Sequence, residues 1–182
     1  MSISATKKMA NRYGLNIKLY TFADTADFTG NAAAEIDFAN EVSLELTSDT
    51  VWATGGQAHA NRIGFNNPYE GTLKISTQLV TMELLNIITN GTLSDTTAHF
   101  KSTTAGLTPK YYLIKGETVW QDEDGTTYTE TIKCYKACVK PGYSVTYNGS
   151  GDPQSLDVEF QLGANSSGQV VDIEAADVAS GS

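Results

Sequence analysis

Residues Glu70 to Gly91 read EGTLKISTQLVTMELLNIITNG, and the fold turns on them. Leu73, Ile75 and Thr77 alternate with Thr72, Lys74 and Ser76, the period of two that marks a strand with one face buried. At Thr81 the period changes. Thr81 is placed to cap a helix, Glu83 puts negative charge in its first turn, and Met82, Leu84, Leu85, Ile87 and Ile88 follow until Asn90-Gly91 supplies a left-handed stop. A helix over 81–89 makes only about two and a half turns and is apolar nearly all round. Such a segment is too short to hold itself together in water, so the sequence requires it to dock on a sheet.

Further strands are expected on both sides. Leu15, Ile17 and Leu19 alternate with polar residues, as do Val42, Leu44 and Leu46 within Glu41 to Thr47. Tyr111 to Gln121 and Thr127 to Val139 predict a hairpin across Asp122-Glu123-Asp124-Gly125, where the Asp-Gly pair suits the turn. In its second strand Ile132 and Cys134 hold one parity and Tyr135, Ala137 and Val139 the other, so a bulge is expected between them. Tyr143, Val145 and Tyr147 predict the start of another strand, followed by a turn over Asn148 to Pro153. Leu156, Val158, Phe160 and Leu162 alternate cleanly with Asp157, Glu159 and Gln161, giving one core face and one acidic, wet face. Gln169 to Ile173 predicts a short last strand.

With 182 residues, the chain is expected to form one mainly β domain over 13–173. Residues 1–12 read as a free basic arm and 174–182 as a mobile tail. From Ser48 to Tyr69 the periodicity thins. Val51-Trp52-Ala53 and Arg62-Ile63 hint at brief strands, but the stretch predicts a long loop, and loops of that length in compact domains are commonly contact segments.

The formal net charge of −9 is unevenly spread. Lys7, Lys8, Arg12 and Lys18 stand in a front segment without acids, whereas the chain beyond Lys140 carries six acids and no Lys or Arg. An acidic body argues against sequence-independent DNA binding, which relies on cations at phosphates. No stretch is long and apolar enough for a membrane span or a signal peptide, which leaves the chain starting out in a cytoplasm. Cys134 and Cys138, four apart on a strand, sit ~13 Å from each other, beyond the reach of a disulfide.

No catalytic constellation is evident. His59 and His99 lie in polar loops, and with the two cysteines they lack the close spacing of zinc sites. The acidic run 122–124 lacks the alternating ligands of a calcium loop and reads as a turn. Asn90, Asn148 and Asn165 head glycosylation-type triplets that read as turns in the absence of a secretory signal. Neither a metal nor a cofactor is expected.

The order of these features resembles the major tail protein, or tail tube protein, of long-tailed bacteriophages, in particular those of Gram-positive hosts. The likeness lies in the acid-rich front strand, the step Val51-Trp52-Ala53 entering a long segment, and Glu70 to Ile75 leading into Thr81-Met82-Glu83-Leu84-Leu85. It continues in Lys133-Cys134-Tyr135-Lys136 and in Leu156 to Phe160. The resemblance spans about Tyr13 to Leu162 and carries no catalytic residues. It implies a β-sandwich or barrel with one flanking helix, assembling into hexameric rings that stack into a tube within the virion tail after assembly in the host cytoplasm. DNA would pass through without specific binding. A tape measure protein, a tail terminator and baseplate or distal tail proteins would be the partners, and tubes of contractile tails and of type VI secretion systems share the fold. Under that reading Lys7, Lys8, Arg12, Trp52 and Arg62 are expected at contacts between rings, and Asp157, Glu159 and Gln161 toward the lumen. The other class the residues allow is a soluble β-sandwich module recognising carbohydrate or protein.

Overall fold

The computed structural model describes residues 9–11, 14–25, 27–36, 39–55, 60–92, 95–100, 108–140, 142–145 and 155–177. It is mainly β, with eleven strands and one helix among these residues. The strands are β1 (Met9–Asn11), β2 (Asn16–Thr21), β3 (Ala34–Ile36), β4 (Ala39–Thr47), β5 (Thr50–Gly55), β6 (Ala60–Asn66) and β7 (Glu70–Thr77). Helix α1 (Met82–Ile88) comes next, then β8 (Tyr111–Asp122), β9 (Thr127–Val139), β10 (Leu156–Leu162) and β11 (Val171–Asp177).

The strand-to-helix switch falls where the periodicity changes. Leu73, Ile75 and Thr77 of β7 are buried, and the Leu84 amide donates to Thr81 Oγ1 at 3.2 Å as the helix cap. Asn90 takes the left-handed conformation, with φ of 57°, and ends the helix. Thr81→Ala removes the side-chain acceptor of the first turn and is expected to cost about 1 kcal/mol, read as a shift in the urea midpoint at unchanged m-value. A variant as stable as the parent would show that packing of α1, not its cap, sets that end of the helix.

All pairings are antiparallel, and the main sheet runs β3-β2-β8-β9-β10-β7-β4. Laid flat, six steps of ~4.8 Å would put its margins ~29 Å apart. Yet β3 and β4 are consecutive in the chain, and Ile36 to Ala39 reaches at most ~11 Å. The sheet must therefore roll far enough to bring the end of β3 near the start of β4. Inside the roll sit Ile17, Leu19, Leu73, Ile75, Leu156, Val158, Phe160 and Leu162, closed by Leu84, Ile87 and Ile88 of α1. Burying each such side chain is worth ~1.5–3 kcal/mol, which is why a short helix holds its place.

The β8–β9 hairpin is longer than the roll. Near its open end β8 pairs with β2 and β9 with β10, while toward the turn β1 joins β8 and β11 joins β9. The change of neighbour on β9 falls at the expected bulge. Tyr112 faces Ala137 and Ile114 faces Cys134, so Leu113 stands against both Tyr135 and Lys136. Cys134 and Tyr135 are consequently both buried.

Four expectations are corrected. Residues 48–69 hold a β-hairpin, β5–β6, in a two-stranded sheet of its own, because cross-strand hydrogen bonding orders a stretch that lacks a buried face. The end of the basic arm is not free, since Met9–Asn11 pair with Trp120–Asp122 on the projecting part of β8. The last strand starts at Val171 rather than Gln169 and runs to Asp177, so 174–177 belong to a strand and not to a tail. Residues 142–145, including Tyr143 and Val145, form no strand; Tyr147 and the turn expected at 148–153 lie outside the described residues. Strand β3 goes unannounced in the sequence, as three residues are too few to show a period.

Candidate assembly surfaces

Two surfaces stand out, a polar sheet face and a projecting arm. Strands β7 and β10 bury alternate residues and β4 partly buries Val42 and Leu44; all three turn the remainder outward, and their registers align those remainders in rows. Glu41, Ser76 and Asp157 form one row, Ser43, Lys74 and Glu159 the next, and Glu45, Thr72 and Gln161 the third. Four carboxylates thus share a surface with Lys74, and Lys140 reaches in to Glu159 at 3.0 Å. Asp157 and Gln161 are exposed and Glu159 is half-buried by that pair. Exposed ion pairs of this kind contribute ~1 kcal/mol or less, so the face is a field rather than a clamp.

The arm rises from the β4–β7 border. Its root is tied by Ser48 Oγ donating to the Asn67 carbonyl at 2.7 Å and by the Asn67 amide donating to the Asp49 carbonyl at 2.8 Å. Val51, Trp52, Phe65 and Tyr69 are 55, 50, 59 and 62% exposed. Trp52 stands opposite Gly64, and a Cβ built there would meet the indole at 3.2 Å. The glycine is what lets the ring lie against its own hairpin with the other side open. Arg62 is the extra residue of the β6 bulge, between the partners of Ala53 and Thr54. Lys7, Lys8 and Arg12, expected at the same contacts, lie outside the described residues, as does His59.

Chemistry finds little support. Burial pushes the Cys134 thiol up to about 12 and raises that of Cys138 as well, which suppresses the thiolate a nucleophile needs. Asp122 is engaged in its turn, accepting from the amides of Asp124 and Thr126 at 3.0 and 2.8 Å and from the Tyr128 hydroxyl at 3.0 Å. Gly125, with φ of 84°, completes that turn. Among the described residues no three His, Cys, Asp or Glu side chains converge on a metal-sized site, and no helix is long and apolar enough to cross a membrane.

The expected face residues Asp157, Glu159 and Gln161 do lie together, and the structure adds Glu41 and Glu45 to them. Alternation in β4 already marked those two as outward. Their alignment with β10 across β7 is long-range pairing, which no local pattern encodes. Of the exposed apolar residues of the arm, Val51 and Trp52 stand out in the sequence, whereas Phe65 and Tyr69 do not.

No family model matches the chain, and no curated protein does. Twelve chains of solved structures match it. One, described as a crystal structure of Hcp protein, aligns over 90% of this chain and 98% of its own, at 12% identity and a TM-score of 0.41. At that identity and score the likeness assigns no role.

Proposed function

We propose that this chain is a structural protein that polymerises with itself into a tube of stacked rings, hexameric as in the tail tube proteins its sequence resembles. Its place would be the virion tail, as the conduit for DNA ejection. The observation that carries the reading is the apolar arm: a hairpin outside the main sheet exposes Val51, Trp52 and Phe65 by half or more, with Tyr69 exposed beside its root, the kind of apolar surface that marks a contact with another protein. The sheet supports it, because β3 and β4, the two ends of its strand order, are each paired on one side only among the described residues. Unpaired strand margins invite addition of another copy. Negative-stain microscopy of concentrated purified protein tests this directly. Hollow filaments are expected, and a monomer at every concentration would overturn the proposal in favour of a binding module, whose exposed aromatics the arm would then supply.

In such a tube the face of Glu41, Glu45, Asp157 and Glu159 lines the bore and repels phosphate. Reversing Glu41 and Asp157, which share a row, to Lys is expected to leave tubes intact but make them retain short duplex DNA at ~50 mM salt and release it by ~200 mM, since phosphate neutralisation is strongly salt-dependent. Reversed tubes that retain no more DNA than the parent would place this face elsewhere.

A further inference from the structure

A cavity of about 400 Å³ opens beside the carboxyl end of α1, lined among the described residues by Ile87, Ile88, Phe100, Tyr112, Val139 and Tyr143. Its walls are built. Asn90 Nδ2 donates to the Thr108 carbonyl at 2.8 Å and Lys110 Nζ to the Gly91 carbonyl at 2.5 Å, so the chain entering β8 is tied to the helix end. The rings of Phe100 and Tyr143 meet at 5.0 Å between centroids while remaining 60 and 39% exposed. A volume in the range of ~300–1,000 Å³ accommodates a group the size of an indole.

We propose that Trp52 on the hairpin of one copy seats in this cavity on the next copy. The inference rests on the self-assembly reading and specifies the contact that drives it. Trp52 has the properties of an anchor: a large apolar side chain, half exposed, laid over Gly64 and so partly ordered before it binds. The charges match, because Asp49 and Glu70 are exposed at the hairpin root while Lys110 lines the cavity. The hairpin springs from the β4–β7 border and the cavity lies among α1, β8, β9 and the end of β10, so the two are separate surfaces of one copy. A patch on one part of a molecule fitting a pocket on another gives a heterologous contact that does not close, which is how filaments grow. Val51 and Phe65, paired on the opposite side of the hairpin from Trp52, remain for the surface beside the cavity.

The test places the photo-crosslinking residue p-benzoylphenylalanine at position 52 and maps the adduct by mass spectrometry after assembly and irradiation. An adduct on residues 87–90, 99–100 or 138–143 of another copy is expected. In parallel, Trp52→Ala and Tyr143→Ala, both at exposed positions, should each raise the protein concentration needed for tubes at least tenfold, with the double variant no worse than the more severe single one. Parent protein that forms tubes but whose adduct maps elsewhere, or whose single variants assemble like the parent, overturns the contact and leaves the tube reading standing. Parent protein that never assembles removes both.

Discussion

Replacing residues 48–69 by an Asn-Gly turn yields a folded chain that stays monomeric at any concentration. The splice is sterically mild because Thr47 and Glu70 already stand opposite each other in the β4–β7 ladder, and a two-residue turn is the natural link between such positions. Nothing in the described core is removed, since every buried apolar residue among the described side chains lies outside this stretch. The far-ultraviolet dichroism should lose only the contribution of one small hairpin, and the melting temperature should move by a few degrees at most. Assembly should vanish outright, because the deletion takes away the half-exposed side chains that another copy would cover. Ultracentrifugation and microscopy check this together; tubes formed by the shortened chain would show that the arm has no part in stacking.

Phe160→Ala is expected to have the largest effect on stability. The ring is fully buried at the centre of β10, with Val139 and Leu73 directly across on the two neighbouring strands. Truncation loses the transfer free energy of the ring and leaves a cavity in a wall shared by three strands, for ~3–5 kcal/mol. A domain of this size has ~5–15 kcal/mol in total, so the melting point should fall by roughly 6–20 °C. Leu79→Ala, at a position 56% exposed, should change stability by less than ~0.5 kcal/mol and serves as the control. A loss below ~1 kcal/mol for Phe160→Ala, measured by urea unfolding, would mean the roll closes over the gap and that β10 is not its keystone.

Much of this architecture is local and could be read from the chain. The turn from β7 into α1 depends on a change of period, a capping hydroxyl and a left-handed Asn, all within about twenty residues. The outward and inward faces of β10 follow from alternation alone. The β8–β9 hairpin follows from its Asp-Gly turn, and the bulge at Tyr135-Lys136 from the switch of parity. The periodic signals exist because one side of the element is buried, and burial imprints a period on the sequence; the cap, the left-handed Asn and the Asp-Gly turn are legible because local backbone geometry selects those residues.

The arm escaped that logic. The side chains of Val51, Trp52 and Phe65 are exposed on both faces of the hairpin, so no alternation is imposed, and a two-stranded sheet is read as a loop. Strands β1 and β11 exist because β8 and β9 project beyond the roll and offer free margins, a property of their partners and not of Met9–Asn11 or Val171–Asp177. The chain alone therefore determined which residues face inward along β2, β4, β7 and β10. Only the tertiary structure decided that β3 and β4 stand at the two ends of one strand order and that Glu41, Glu45 and Asp157 share one surface. Strand pairing joins residues over a hundred positions apart through backbone groups that are the same for every side chain, so sequence pattern has no purchase on it.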